Sequence, residues 1–472
     1  MHVRIIAEGD TRSAQGPPPL ARGPASPSLV ILAAVCVASF AKFSHAAALP
    51  PPPDHEGSEL RVLADLAAPD AADAADAADT PDAARAAERA RLEAELAESL
   101  DLTPPPLPSV GQAPSGAKFL PDISLVGTFA AAWFSDEPTL RFAAHEPLHR
   151  GPQLQEIEVA LQSNIDPFVR ADIFLAISLF GIEVEEAYAT TLALPWNLQA
   201  RGGLMYAPFG RFNQTHFLEV SPFADMPLPN RRFFGGEQLR GVGVEASWLV
   251  PLPFFAEVRA AALGADNELS FGIPATDIER VTDLLSVVRL LTSFDFSERL
   301  TLNLGASVAN GPNATGGTLA SDLNRTDVFG GDLYLKLRDP SSRAYTALQA
   351  EYLYRRATVP DGRLEQGGAY AWLVRRFDAS WEAAIRGDLL GLPDGTIHGS
   401  PSLEGGRAPF LEPASQYRVG AAVSFYPSEF QRIRVQANYD FGIETAGVNA
   451  RGVQEYFLQY QLVMGAHGAH PF

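Results

Sequence analysis

The stretch that decides the fold is Arg432-Ile433-Arg434-Val435-Gln436-Ala437-Asn438-Tyr439-Asp440-Phe441, in which polar and apolar residues alternate without a break. Successive side chains of a β-strand point to opposite faces, so such a strand has one polar and one apolar face. The same period of two recurs about sixteen times after Phe119, for example in Glu156–Ile165 and Asp332–Arg338. Helical periodicity is nearly absent there, which predicts an all-β fold.

Strand length and the placement of aromatic residues favour a membrane barrel over a soluble sandwich. Most of the alternating stretches run about ten residues, the length that a tilted strand needs to cross a bilayer. The joints alternate between tight ones such as Phe180-Gly181 and long ones such as Phe217–Arg240, as periplasmic turns and outer loops do. Aromatic residues collect near predicted strand ends, as in interfacial girdles; they are Tyr206, Phe209, Phe212, Phe425, Tyr426, Tyr439 and Phe441.

We therefore predict a transmembrane antiparallel β-barrel of about sixteen strands over 119–472. A barrel of that size leaves an aqueous lumen, whereas eight strands would be filled by side chains. The chain ends in Phe472, and a terminal aromatic resembles the signal by which outer-membrane proteins are recognised for insertion. The predicted strands lie at 124–134, 153–165, 169–180, 182–193, 198–209, 242–250, 254–264, 284–295, 299–309, 326–338, 343–357, 364–376, 379–389, 416–425, 431–441 and 454–464.

The first 118 residues differ in composition from the predicted barrel. Residues 1–48 combine arginines, the apolar run Leu29–Phe40 and a small-residue end, which is the order of a secretory signal peptide. A run of twelve apolar residues reaches about 18 Å as a helix, short of the ~30 Å hydrocarbon core, so we expect no stable anchor. Residues 49–118 are rich in Ala, Asp and Pro and predict a periplasmic linker with a helix at 82–100, either single or in a trimeric coiled coil.

Charge and cysteine content exclude several classes of function. The net charge is −20; the signal segment carries +2 and the linker −9, which leaves −13 on residues 119–472. An acidic barrel disfavours nucleic acid as a partner. The single cysteine, Cys36, lies inside the apolar run, so a chain cleaved near Ala46 or Ala48 has no disulfide and no thiol chemistry.

Three motifs resemble the phosphate-selective porin O and P family: Tyr206–Asn213, Arg231–Glu237 and Gly241–Glu245. The strand at Leu458–Gln461 and the tail His467–Phe472 are also similar to proteins labelled zinc-regulated outer-membrane receptors. The resemblance implies an exported sixteen-stranded porin and supports a homotrimer. The chain departs from the family's arginine ladders and lysine cluster, because its only lysines are Lys42, Lys118 and Lys336.

Two groups of charged residues are the candidates for controlling passage through the lumen. The first is a basic stripe on the C-terminal strands, formed by Arg386, Arg418, Arg432 and Arg434. It would either orient anions or zwitterions, as charged rings do in pores, or form salt bridges that brace the wall. The second is the proline-containing loop 217–240, with Glu219, Asp225, Arg231, Arg232, Glu237 and Arg240. Its aromatic residues would expose much apolar surface outside, so we expect it to pack inward as a constriction.

The sequence gives little support for catalysis, a cofactor or a metal site. Glu183, Glu185 and Glu186 form an acidic cluster, but a regular period of two would split them between faces, and no histidine lies near them in sequence. His467 and His470 are a candidate ligand pair, although exposed tail histidines more often face solvent. No nucleophile elbow, phosphate loop or paired-cysteine motif occurs.

The function predicted from the sequence is a non-enzymatic outer-membrane channel of a Gram-negative bacterium, for passive diffusion of small polar or charged solutes. Its expected partners are membrane lipid and lipopolysaccharide, the barrel-assembly machinery through the C-terminal strand, the solutes, and further copies of the chain in a homotrimer. Two alternatives stay open. One is a TonB-coupled receptor for metal or ligand uptake, a class with about 22 strands and a plug. The other is a structural outer-membrane barrel.

Overall fold

The computed structural model describes residues 121–136, 145–147, 149–264, 267, 269–272, 278, 280–316, 323–360, 362–392, 396–399, 415–445, 448–449 and 452–465. The predicted signal peptide at 1–48, the linker at 49–118 with its helix at 82–100, and the tail residues His467, His470 and Phe472 lie outside the described residues. Within these residues, no helix is long and apolar enough to cross a membrane.

The described strands form one antiparallel sheet that closes on itself, because β1 pairs with both β2 and β18. Sixteen strands make the barrel wall, and the short strands β14 and β17 lie in the connections beyond it. The strands are β1 (Asp122–Phe134), β2 (Gly151–Asn164), β3 (Val169–Ser178), β4 (Gly181–Thr191), β5 (Leu198–Tyr206), β6 (Arg240–Leu249), β7 (Phe255–Gly264), β8 (Leu285–Asp295), β9 (Leu300–Gly316), β10 (Leu323–Arg338), β11 (Tyr345–Val359), β12 (Gly362–Arg376), β13 (Trp381–Leu390), β14 (Thr396–Gly399), β15 (Ser415–Ser428), β16 (Gln431–Thr445), β17 (Val448–Asn449) and β18 (Val453–Gly465).

The prediction of an all-β barrel of sixteen strands is confirmed, and each predicted strand coincides with one strand of the wall. Two boundary differences have a clear structural cause. β9 continues to Gly316, where it still pairs with the start of β10. β5 ends at Tyr206, because the next residues leave the wall and turn into the lumen.

The outer face of the wall is apolar and the inner face is largely polar. On β16, Ile433, Val435 and Tyr439 are exposed, whereas the alternate residues Arg434 and Gln436 are buried inside. Aromatic rings pair near both ends of the wall, with centroid distances of 4.7 Å for Trp381–Phe425, 5.2 Å for Phe254–Phe294, 5.7 Å for Trp133–Tyr456 and 4.8 Å for Tyr439–Phe441. An apolar belt between two aromatic girdles is the surface of a transmembrane barrel.

Two details of the predicted wall are wrong. Tyr206, Phe209 and Phe212 belong to no girdle, since they are almost completely buried inside the barrel. The tight joint Phe180-Gly181 is not at the end that holds the other tight joints. Because strand direction alternates, the connection between β3 and β4 lies at the same end as the long connections.

The register of pairing shifts in four of the described strand pairs, and two of these β-bulges change which residues of β2 and β4 face the lumen. The pairing of β1 with β2 and that of β3 with β4 each shift register by one residue. A bulge sets two residues of one strand against one residue of its partner. Gln155 therefore joins Glu156, and Glu185 joins Glu186, among the buried residues of the inner face. The expectation that Glu183, Glu185 and Glu186 are split between faces by regular alternation is wrong for this reason.

Candidate functional site: a loop packed inside the barrel

Residues 207–239, which connect β5 to β6, fold into the barrel, and nearly all of them are buried. We call this segment the inner loop. It contains a 3₁₀ turn at Phe212–Gln214 and two short helices, α1 (Phe217–Val220) and α2 (Leu228–Phe234). The predicted constriction loop 217–240 falls within it, apart from Arg240, which is the first residue of β6.

The start of the inner loop is fixed to the wall through backbone amides. The amides of Arg211 and Phe212 each donate a 2.6 Å hydrogen bond to Oε1 of Glu351 on β11. The amide of Gly210 donates to Oγ of Ser307 on β9 at 3.0 Å. Gly210 has a φ of +58°, and a Cβ at this position would lie 3.0 Å from the Glu351 carboxylate, so glycine suits the position on both counts.

Apolar side chains of the inner loop pack against two adjacent parts of the wall. One buried cluster joins Phe209, Phe233 and Phe234 to inward residues of β7–β11, such as Leu263 and Val328. A second cluster faces β12–β15 and consists of Phe212, Phe217, Leu218, Phe223, Met226, Tyr370, Trp372, Val374, Ala384 and Ala422. Burial of this much apolar surface is the main stabilising contribution to the inward position of the loop.

Asp225 is the charged centre of the inner loop and is fully buried. Its Oδ1 accepts a hydrogen bond from Nη2 of Arg386 at 2.8 Å, and its Oδ2 lies 2.8 Å from Nη1 of Arg418. The side-chain amides of Gln436 and Asn438 donate to the same carboxylate at 2.6 and 3.1 Å. Removal of one member of such a buried charged set leaves the others uncompensated, so these contacts hold the loop against β13, β15 and β16.

The other two arginines of the predicted stripe bind backbone carbonyl groups of the inner loop. Arg432 donates to the carbonyl oxygens of Leu218 and Glu219 at 2.5 and 3.0 Å. Arg434 donates to the carbonyl oxygen of Ser221 and, at 2.9 Å, to Oε1 of Gln459. The structure thus places Arg386, Arg418, Arg432 and Arg434 beneath the loop, in contact with it. Their contact with a passing solute stays a prediction.

The remaining predicted residues are spread along the inner loop. Arg231 pairs with Glu146 from the connection between β1 and β2, and Arg232 is buried beside it in α2. Glu237 lies 3.0 Å from Arg240, which also pairs with Glu183. Glu219, on α1, faces a cavity of about 430 Å³ that extends to the turn between β15 and β16. Charged residues of both signs line this cavity, among them Arg211, Lys336, Arg376, Glu382 and Glu429.

Several residues that position the loop have no recognisable pattern in the sequence. Alternation on β11 places Glu351 on the inner face, but its partners, two amides of the inner loop, have no signature in sequence. Glu146, His145 and His216 lie in connections without periodicity, so no pattern indicated that they are buried in the lumen.

A sequence relative occurs in Aquifex aeolicus (strain VF5), where it is described as an uncharacterized protein. It is 32% identical over 397 residues, an alignment that covers 75% of this chain and 80% of the relative. This chain belongs to the family of that Aquifex protein. No protein-family model matches this chain.

Solved structures similar to this chain include outer-membrane porins. The outer membrane channel DcaP of Acinetobacter baumannii has a TM-score of 0.48 at 10% identity, over 73% of this chain and 96% of its own. An anion-selective porin from Comamonas acidovorans has a TM-score of 0.46 at 10% identity, over 72% and 99%. Pseudomonas putida OprB has a TM-score of 0.45 at 10% identity, over 73% and 94%. The strand pairing of this chain establishes its fold independently of these similarities.

Proposed function

We propose that the protein is a passive channel of the bacterial outer membrane for small polar or charged solutes, and that the inner loop sets its width and selectivity. The observation that carries this proposal is the inner loop itself, bonded to β9, β11, β13, β15 and β16 inside a sixteen-stranded wall. A wall of that size by itself leaves a water-filled lumen. A loop that fills much of it converts a wide passage into a narrow one.

The cavity of about 430 Å³ supports the same proposal. Basic and acidic side chains both line it beside α1, as in a vestibule for charged solutes. We do not propose phosphate selectivity. The phosphate-selective porin O and P family, which the chain resembles, has a lysine cluster, whereas Lys336 is the single lysine of residues 119–472. A TonB-coupled receptor is disfavoured, because that class has about 22 strands.

The proposal includes export by the segment at 1–48, insertion through the C-terminal strand, a periplasmic linker at 49–118 and a homotrimer. It assigns no catalytic role to any residue. Asp225, Glu351 and the four arginines of the stripe take part in contacts that hold the inner loop, which is a structural task.

Single-channel conductance of the refolded mature chain in a planar bilayer tests the proposal. We expect small, steady, ohmic steps for the native chain and steps several-fold larger when 217–235 is replaced by a short Gly-Ser linker. Shortening the connection between β13 and β15 is the control and should leave the step size unchanged. Absence of current from both folded, heat-modifiable barrels would contradict a channel and favour the receptor or structural alternative.

A further inference from the structure

Two histidines and four glutamates meet inside the barrel, away from the arginine contacts of the inner loop. His145 comes from the connection between β1 and β2, and His216 from the inner loop. The glutamates come from the wall, two from β2 and two from β4. All six side chains are buried; the glutamates are Glu156, Glu158, Glu185 and Glu186.

Glu185 is the centre of this cluster. Its Oε1 lies 3.3 Å from Nε2 of His145, and its Oε2 lies 3.3 Å from Nδ1 of His216. The same Nδ1 lies 3.0 Å from Oε2 of Glu158. Two ligand atoms at ordinary zinc distances and a tetrahedral angle are about 3.3 Å apart. The donor atoms therefore already have the spacing of a metal coordination shell.

Two overlapping triads satisfy this geometry. Donor atoms of His145, Glu156 and Glu185 all lie within 4.8 Å of one another, and so do those of Glu158, Glu185 and His216. Glu185 is common to both triads.

The ring nitrogens that face away from Glu185 contact two further carboxylates. Nδ1 of His145 is bonded to Oε2 of Glu156, and Nε2 of His216 lies 3.1 Å from Oε2 of Glu186. Histidines that ligate metals commonly give their second nitrogen to a carboxylate, which fixes the tautomer and the ring orientation. Both imidazoles are thus oriented with one nitrogen directed at Glu185.

A small cavity lies among these groups, lined in part by His145, Glu158, Glu185 and His216. Its volume is about 10 Å³, close to the space that one water molecule or one ion needs. Oε2 of Glu185 is buried at its edge and makes no hydrogen bond of normal geometry among the described residues, only the 3.3 Å approach to Nδ1 of His216. Buried polar atoms normally have such a hydrogen bond, so this oxygen points to a ligand.

The bulges described above build this cluster. Regular pairing of β3 with β4 would not place Glu185 and Glu186 together on the inner face. The bulge residue of β2, Gln155, donates from Nε2 to the carbonyl oxygen of His145 at 3.0 Å and so holds that histidine against the wall. Bulges that redirect side chains often occur beside functional sites.

We propose that this cluster binds a divalent first-row transition-metal ion at the triad Glu158, Glu185 and His216, with Glu186 orienting the imidazole of His216 and with His145 adjoining the site through the other oxygen of Glu185. Imidazole and carboxylate donors together suit zinc, iron, manganese or nickel better than calcium, which prefers oxygen donors alone. The ligands come from three parts of the chain, β2, β4 and the inner loop. The ion therefore ties the inner loop to β2 and β4, a different part of the wall from the strands that bind Asp225.

Metal retention by the refolded mature chain in detergent tests the proposal directly. The protein is stripped with EDTA, equilibrated with Zn²⁺, Co²⁺ or Ca²⁺, passed through a desalting column and analysed by mass spectrometry for bound metal. We expect one Zn²⁺ per chain to be retained, Co²⁺ to give visible absorption bands of a low-coordinate site, and Ca²⁺ to be lost. A chain with His467→Ala and His470→Ala should retain the same amount of Zn²⁺, since neither residue is among the proposed ligands.

The decisive comparison is between two neighbouring glutamates of β4. Glu185→Gln should abolish Zn²⁺ retention. Glu183→Gln also removes one negative charge from β4, but at the position that pairs with Arg240, and this variant should retain Zn²⁺. Glu186→Gln should weaken affinity by about 10–100-fold without changing the stoichiometry. His216→Gln serves as the second variant if Glu185→Gln fails to give a heat-modifiable barrel.

Retention that is equal in the native chain and in folded Glu185→Gln or His216→Gln would overturn the proposal, and so would a native barrel that keeps no Zn²⁺. The cluster would then be an ion-pair network that only braces the loop. None of these measurements uses channel current, so they fail or succeed independently of the proposed transport function.

Discussion

Asp225 of the inner loop and Arg386 of β13 form an ion pair that is closed off from water. Nη2 of Arg386 donates to Oδ1 of Asp225 at 2.8 Å, and neither side chain has any exposed surface. Nη1 of the same arginine donates to the carbonyl oxygen of Asp225 at 2.8 Å. One guanidinium thus holds both the side chain and the backbone of the loop, which makes this contact the natural place to loosen it.

Asp225→Ala should destabilise the barrel and widen the passage. The substitution leaves Arg386 and Arg418 buried with Asp388 as their shared carboxylate, 3.0 and 2.8 Å away. Loss of one partner of a buried charged set costs about 3–5 kcal/mol. The denaturant midpoint of folding in vesicles should fall, and the single-channel conductance should rise. Glu298→Gln, in an exposed turn, is the charge-matched control and should behave as the native chain. A native conductance in Asp225→Ala would show that this contact does not control the width of the passage.

Gly330→Ala should disturb the inner loop, while Gly331→Ala should not. A Cβ at Gly330 would lie 2.7 Å from Cζ of Phe209, whereas a Cβ at Gly331 would meet no atom within 4 Å. Overpacking of a well-packed interior costs about 1–3 kcal/mol. Thermal midpoints of the two variants measure the difference, and Phe209→Leu in the Gly330→Ala background should restore part of the loss. Equal midpoints for the two glycine variants would show that Phe209 is not seated against β10.

Glu351→Ala should release the start of the inner loop. The amides of Arg211 and Phe212 would both lose their acceptor, and a buried donor without a partner costs about 1–3 kcal/mol. Hydrogen exchange at these two amides should accelerate strongly. Glu351→Gln keeps an acceptor oxygen at the same place and should give a smaller effect. Unchanged protection of both amides in the alanine variant would argue that the loop is held elsewhere.

Ile385→Arg should impair membrane folding, because Ile385 is exposed on the outer face of β13. An arginine on the lipid face of a barrel costs about 2–4 kcal/mol at the bilayer midplane and about 0–1 near the interface. Phe377→Arg, in the turn between β12 and β13, is the interfacial control and should cost little. The two costs are measured from denaturant midpoints in lipid vesicles. Similar costs at both positions would contradict a bilayer around this face.

The wall could be predicted from the sequence because its signal is local. In Arg432–Phe441, the polarity of each residue indicates the face on which it lies, and the structure confirms this alternation of buried and exposed residues. The inner loop was predicted from its apolar residues, which need burial wherever they are. What surrounds those residues could not be predicted, since Asp225 and Arg386 are 161 residues apart.

The histidine–glutamate cluster shows where the local signal fails. A bulge inserts one residue without changing the composition of a strand, so a period-two reading of β4 assigned Glu185 and Glu186 to opposite faces. His145 and His216 lie in irregular connections, and only the closed barrel brings them to Glu185.

The sequence by itself determined the closed sheet, its sixteen strands and the apolar face that meets lipid, because side-chain alternation along a strand is a property of neighbouring residues. Only the tertiary structure decided that the arginine stripe holds the inner loop and that two histidines share one buried glutamate. The reason is physical. Barrel closure and two bulges set the distances between residues far apart in the chain, and burial then requires each of their charges to find a partner.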